Sequence, residues 1–142
     1  MRIGFPRLGS FHVFLEPALR QLGLELLVAP PSSKRTLDLG VRFNPEMICT
    51  PCKLLFGNYV EALAHGAEVM VMLGEAGTRR LGYSARTQEG LLHQMGFDFE
   101  AYTVDLYHLS GETVRFLRTF AHPSWTALIE TLRFLLASQE TQ

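Results

Sequence analysis

The sequence predicts an α/β protein built on one doubly wound, mostly parallel sheet of about four strands. Short apolar runs of strand length alternate with stretches whose apolar residues recur at helical spacing. A helix that connects two strands of one sheet normally makes a right-handed crossover, which leaves those strands parallel. The chain has 142 residues, 47% of them hydrophobic, enough for one core. We therefore expect a single domain over residues 1–142.

Four strands are expected, each as a short apolar run bounded by turn residues. They cover residues 2–5, 24–29, 68–73 and 97–104. The second run is apolar throughout except for Glu25, which is typical of a strand covered on both faces. The third run is the strongest strand signal, and its Met70 and Met72 are expected to fill the core.

The expected helices alternate with these strands, and glycines end several of them. The first expected helix ends at Gly23, the second covers residues 33–39, and the third begins at Thr50 and ends at Gly66. The remaining three cover residues 84–95, residues 112–120 and a last stretch after Pro123. Pro17 is expected near the start of the first helix or at a kink, and Gly40 is expected to end the second helix. Leu55, Phe56 and Tyr59 lie on the apolar stripe of an amphipathic third helix.

Composition excludes several classes of protein. The net charge is −1 and there is no long basic run, so nucleic acid is not the expected partner. There is no apolar stretch of about 18 residues, and the N-terminus reads as a short strand rather than a leader, so a cytoplasmic protein with no membrane contact is expected. Two cysteines in such a chain indicate metal or redox chemistry rather than a disulfide framework.

Both cysteines lie in one motif, Cys49-Thr50-Pro51-Cys52-Lys53, where a loop is expected to enter a helix. Thr50 has the hydroxyl of an N-cap residue, and Pro51 suits the first helical turn. Cys52 would then lie in the first turn, where the helix dipole and Lys53 favour a thiolate. We expect a lowered thiol pKa.

Two cysteines supply half of the four ligands that zinc or an iron–sulfur cluster usually takes. A twofold dimer could pool four cysteines, a nearby loop could add an oxygen or nitrogen ligand, or there could be no metal. The motif also occurs at helix starts of thioredoxins, so a thiol–disulfide pair is another hypothesis, although the residues before Cys49 differ from theirs. Packing of two small side chains is the remaining alternative.

The carboxyl ends of parallel strands lie at one edge of a sheet, where ligands usually bind. Residues 6–10, the cysteine turn and residues 74–80 are expected there. In the last of these loops, glycine N–H groups together with Arg79 and Arg80 could bind an anion. The alternative for this loop is a turn with solvated arginines.

Several motifs occur in an order that resembles a known family. They are Pro45-Glu46-Met47-Ile48-Cys49-Thr50-Pro51-Cys52-Lys53-Leu54, Gly57-Asn58-Tyr59-Val60-Glu61-Ala62-Leu63, Gly66-Ala67-Glu68, Gly77-Thr78-Arg79-Arg80-Leu81-Gly82-Tyr83, Gln88-Glu89, Gly96-Phe97-Asp98-Phe99-Glu100, the opening Gly4-Phe5-Pro6-Arg7 and the Pro30-Pro31 segment. Residues 1–104 thereby resemble the activase-related proteins of the 2-hydroxyacyl-CoA dehydratase and benzoyl-CoA reductase group. Residues 105–142 add C-terminal helices outside the resemblance.

The resemblance implies a Rossmann-like or flavodoxin-like module with an oxygen-sensitive [4Fe-4S] cluster bound by cysteines at strand ends. Cys49 matches the cysteine of the family's Glu-x-x-Cys-x-Pro-x-Lys pattern, and Cys52 would be the second ligand. Relatives tend to read Gly-Pro-Cys-Arg-Phe-Gly-Tyr in the next motif, so they carry a cysteine where this chain has Arg79. The chain is also shorter than the catalytic subunits, so a stand-alone enzyme is not expected.

Three hypotheses follow. In the first, Cys49 and Cys52 of two protomers hold a [4Fe-4S] cluster in a homodimer that transfers electrons or assists a dehydratase-like partner, with zinc as the other metal considered. In the second, the chain is a cluster-free scaffold in which Arg79 and Arg80 contact an anion such as a CoA phosphate. In the third, the cysteines form a thiol–disulfide redox pair.

Overall fold

The structure is a computed structural model that describes residues 1–7, 11–21, 23–74, 80–105 and 111–120. Its strands are β1 (Ile3–Phe5), β2 (Leu26–Val28), β3 (Val69–Gly74) and β4 (Glu100–Asp105). Its helices are α1 (Phe11–Gln21), α2 (Lys34–Phe43), α3 (Thr50–Ala64), α4 (Arg80–Gln94) and α5 (Gly111–Phe120). The predicted helix after Pro123 lies outside the described residues.

The four strands form one sheet in the order β2-β1-β3-β4, and every neighbouring pair is parallel. Ile3 lies opposite Leu26 on one side and opposite Val69 on the other, so β1 is central. The chain passes from β1 to one edge and then returns across β1 to β3, so the strand order reverses at β1. The prediction of a doubly wound α/β sheet with about four strands is confirmed.

The core lies on both faces of β3, every residue of which is buried. Met70 and Met72 have no exposed surface, as predicted, and β3 pairs with β4 along its whole length. An aromatic cluster joins β4 to α5, in which Tyr102 contacts Phe116 and Phe120 edge to face. Helix α5 therefore covers β4.

Helices α2 and α3 form a hairpin whose backbones almost touch at two glycines. A Cβ atom on Gly40 would overlap the backbone carbonyl of Lys53, and one on Gly57 would overlap that of Thr36. The prediction that Gly40 ends α2 is wrong, because α2 continues through Phe43 and Gly40 lies at the contact with α3. A mid-helix glycine here permits close approach rather than ending the helix.

Helix α3 is not amphipathic, which corrects the prediction of a single apolar stripe. All residues from Leu55 to Leu63 are buried, including Asn58 and Glu61. The carboxylate of Glu61 accepts a hydrogen bond of 3.0 Å from the Thr36 hydroxyl, which pairs one buried polar group with another. Helix α3 is therefore packed on all sides between α2, the sheet and α4.

Other boundaries differ modestly from the prediction. Helix α4 begins at Arg80 rather than residue 84, and β4 begins at Glu100 rather than residue 97. Pro17 lies inside α1. Among the described residues, no helix combines the length and apolar character required to span a bilayer.

Four residues separate the end of α3 from the start of β3, and the N–H of Glu68 bonds there to the carbonyl of Arg2, just before β1. The end of α3 therefore lies at the amino edge of the sheet. Helix α3 therefore runs opposite to the strands, and its N-terminus points toward the carboxyl edge of the sheet. The cysteine motif lies at that N-terminus. This is the edge at which parallel sheets usually bind ligands.

Candidate functional site

A tight turn leads into the cysteine motif at the start of α3. The Ile48 N–H bonds to the Pro45 carbonyl at 3.1 Å, and Lys53 Nζ donates to the carbonyl of Glu46 at 3.1 Å, which ties the turn to the helix. The cap prediction is off by one residue. Cys49 occupies the N-cap position with extended backbone and no side-chain cap bond, and Thr50 is the first helical residue.

The two cysteine sulfurs are adjacent, with Cys49 Sγ 3.2 Å from Cys52 Sγ. Both residues are thiols in the structure. Cys52 is only 2% exposed, whereas Cys49 is half-buried, so one sulfur faces the interior and the other lies nearer the solvent. The structure thus brings together the two residues that the sequence predicts as ligands.

Helix α4 supplies two polar partners of Cys52 that sequence reasoning missed. The Ser84 hydroxyl hydrogen-bonds to the Cys52 sulfur, and Gln88 Nε2 donates to the Cys52 backbone carbonyl at 2.9 Å. Both residues are buried and lie one helical turn apart, so they share a face of α4. Their four-residue spacing could have indicated a polar face, but nothing in the sequence assigns that face to residues more than thirty positions away.

Burial raises the pKa of the Cys52 thiol to about 11, and the adjacent Cys49 thiol raises it further while the Ser84 hydroxyl acts in the opposite sense. The expected lowering of the thiol pKa is therefore wrong for Cys52 in the metal-free chain. The physical reason is that removal of the sulfur from water disfavours the thiolate more than the hydroxyl contact favours it.

We expect the free energy of unfolding of the metal-free, reduced chain to fall with pH between about 9 and about 11. The folded chain holds the Cys52 proton up to about pH 11, against a reference value of 9.0, so in this window the folded state binds more protons. The stabilisation is complete below pH 9 and is lost as the pH rises through the folded pKa. Its total is about 2 kcal/mol.

Urea unfolding at several pH values would measure this effect, with Cys52→Ser as the control because serine does not titrate there. The pKa of the fully buried Tyr59 is also raised by burial, so both proteins should lose stability at the highest pH. The Cys52 contribution is the difference between the two curves. A difference that stays constant from pH 8 to pH 11 would contradict the prediction.

The donor set fits one half of a thiolate-ligated centre. Metal–sulfur bonds of about 2.3 Å at a tetrahedral ion place two sulfurs about 3.8 Å apart, so a small rotation about the Cys49 side chain opens the observed pair to that spacing. Within the described ranges, no group of three or more His, Cys, Asp or Glu side chains is placed to hold a metal ion. Further ligands would come from outside this pair.

The side chains of the predicted anion-binding pair, Arg79 and Arg80, lie outside what the structure describes, and the pair stays a prediction. A feature that sequence reasoning missed is Met47, which is 92% exposed in the turn two residues before Cys49. A largely exposed apolar residue therefore lies two positions before the more accessible cysteine in the chain.

Comparisons with protein-family models, with curated proteins and with solved structures each found no match to this chain.

Proposed function

We propose that Cys49 and Cys52 are ligands of an iron–sulfur centre, a [4Fe-4S] cluster, that the same two residues of a second copy complete. The observation that carries this proposal is the pair of sulfurs 3.2 Å apart at the N-terminus of a buried helix. The resemblance of residues 1–104 to dehydratase activase-related proteins supports the same choice of cofactor. The role that follows is electron transfer, or assistance to a dehydratase-like partner, in the cytoplasm.

The surroundings of the pair suit a negatively charged centre. The first backbone N–H groups of α3 have no helical partner, and the positive end of the helix dipole lies beside the sulfurs. The Ser84 hydroxyl donates to one ligand sulfur, and hydrogen bonds of this kind tune the reduction potential of iron–sulfur centres. When bound, the cluster would supply a one-electron redox couple. The chain's residues would hold it and stabilise its charge.

A cluster of this type needs each of its cysteines on a different iron, which requires the sulfurs to stand further apart than two ligands of a single ion. Cys52 is fixed by Ser84 and Gln88, whereas Cys49 precedes the helix and is half-buried. Cys49 is therefore the residue that would rotate outward. Outward rotation would bring its sulfur toward the solvent, where a second copy could meet it.

Twofold symmetry supplies the missing ligands most simply, because one patch then meets itself and two cysteines become four. Met47, two residues before Cys49 in the chain, would give that patch an exposed apolar side chain. The homodimer is part of the proposal, since the ligand set is incomplete without it.

The test is to purify the chain without oxygen and measure iron, acid-labile sulfide, zinc, visible absorption and mass in solution. We expect about four irons per dimer and broad absorption at ~400 nm. Cys49→Ser and Cys52→Ser should each lose the iron while keeping native circular dichroism. Thr50→Ala is the matched control, because Thr50 is a neighbouring exposed residue, and this variant should keep the iron.

Retention of full iron content by a folded Cys52→Ser variant would contradict the proposal. Zinc without sulfide would indicate that the same four thiolates hold a structural ion instead. A monomer that retains a full cluster would contradict the shared site.

A second candidate is a thiol–disulfide redox pair, favoured by the difference in exposure of the two sulfurs. The Cys49 thiolate would attack a disulfide of a partner, and one partner thiolate would leave. Cys52, after losing its proton, would then attack the Cys49 sulfur, which forms the Cys49–Cys52 disulfide and releases the second partner thiol. Anaerobic reaction with oxidised glutathione should then remove two hydrogens from the chain and yield two glutathione thiols.

A further inference from the structure

Asn58 is a buried polar residue whose hydrogen-bonding capacity is only half used. It is 1% exposed, and its Nδ2 lies 3.4 Å from both the Arg7 carbonyl and the Ser32 hydroxyl. Its Oδ1 is buried and has no hydrogen-bond partner among the residues that the structure describes. Buried acceptors of this kind are nearly always paired, so an unpaired one calls for a specific donor at this place.

Arg7 places a buried hydrogen-bond donor, its Nε–H, at the same place as the Asn58 acceptor. It follows β1 by two residues, and its Nε is buried with no hydrogen-bond partner in the described part of the chain. Because Asn58 contacts the Arg7 backbone, an unused acceptor and an unused cationic donor belong to neighbouring residues. An arginine Nε–H normally donates to a carboxylate or phosphate oxygen.

The N-terminus of α2 adjoins these residues through Ser32, the contact of Asn58. Ser33 caps α2, and the first turn contains Lys34 and Arg35 but no acidic residue. Two cations at the positive end of a helix dipole repel it, which costs stability unless an anion lies nearby. The ten-residue helix therefore has the electrostatic character of an anion-binding end.

These groups lie at the carboxyl edge of the sheet. Arg7 follows β1, Ser32 follows β2, and the order of the strands reverses at β1. Ligands of open parallel sheets bind outside this edge near the point of reversal. The cysteine pair is a different place, because Asn58 follows Cys52 by six residues, or about 9 Å along the helix axis.

We propose that Arg7, Asn58 and the N-terminus of α2 bind a small phosphorylated molecule with a hydroxyl group near its phosphate. The phosphate takes the Arg7 Nε–H and lies in the field of α2, Lys34 and Arg35. The hydroxyl donates to Asn58 Oδ1. One ligand thus satisfies a donor and an acceptor that the described residues leave unpaired. The site does not depend on metal at Cys49 and Cys52.

The test is calorimetric titration of the full chain with ribose 5-phosphate and, separately, with inorganic phosphate. We expect saturable binding of both, and tighter binding of ribose 5-phosphate because it also supplies hydroxyl donors. Arg7→Gln should weaken both by about tenfold or more, since it removes a charged hydrogen bond. Lys34→Gln should weaken both by a smaller factor.

Arg42→Gln is the matched control, because it removes one exposed positive charge from the other end of α2. We expect it to change neither affinity by more than about twofold. Equal weakening by Arg7→Gln and Arg42→Gln, or no weakening by Arg7→Gln, would overturn the site. Equal affinity for the two probes would overturn the role of Asn58. Circular dichroism of each variant separates loss of binding from loss of folding.

Discussion

Replacement of Gly57 by alanine is expected to lower the free energy of unfolding by about 3 kcal/mol. The added methyl group would overlap the backbone carbonyl of Thr36, which a rotamer change cannot move aside. Thr36 is itself held by a capping box with Ser33 and by its bond to Glu61. The two helices can therefore separate only by giving up buried packing and hydrogen bonds along the hairpin.

Urea unfolding of the metal-free chain would measure this effect, with Gly90→Ala as the control. Gly90 also lies inside a helix, but a Cβ atom there meets nothing within 4 Å. Alanine at that position should raise the free energy of unfolding by about 0.5–1 kcal/mol, because it reduces the entropy of the unfolded chain. A loss of less than about 1 kcal/mol for Gly57→Ala would show that the hairpin adjusts easily.

Replacement of Gln88 by alanine is expected to lower the free energy of unfolding by about 3 kcal/mol. The side chain is 1% exposed, so its removal leaves a cavity between α3 and α4 as well as a lost hydrogen bond to Cys52. The effect should also reach the thiol, because Gln88 holds the turn of α3 that carries it. We expect Cys52 to react faster with a thiol reagent in the metal-free variant.

Gln94→Ala is the control for this experiment, because Gln94 is exposed on the same helix. It should change stability by less than about 0.5 kcal/mol and leave thiol reactivity unchanged. Equal reactivity of Cys52 in the wild-type chain and in a folded Gln88→Ala variant would show that Gln88 contributes to packing alone.

The parts of the fold that follow from local pattern were predictable. Alternating apolar runs predict the parallel sheet, and Met70 and Met72 are buried as expected. The glycines show the limit of local reasoning. Gly66 ends α3 with a positive φ of 90°, whereas Gly40 lies inside α2, and only the contact with Lys53 distinguishes the two. A glycine within an uninterrupted helical pattern, such as Gly57, was the available sign of a close contact.

The cysteine pair was likewise predictable as a pair, because two residues at a helix start must lie close together. Its electrostatics were not, since they depend on how deeply α4 buries Cys52. Position in the first turn predicts a lowered thiol pKa. The surrounding protein instead removes the Cys52 sulfur from water, and this raises the pKa. The site of Arg7 and Asn58 depends on residues 51 positions apart, which only the folded sheet brings into contact.

The parallel sheet also determines the order in which the chain can assemble. The α2–α3 hairpin joins residues close in sequence, whereas β1 must find β3 across more than sixty intervening residues. Local contacts form faster than distant ones, because closing a long loop costs more entropy. We therefore expect the hairpin to form before the sheet, so that a newly made chain exposes its two thiols to metal and to oxidants before α4 arrives to cover Cys52.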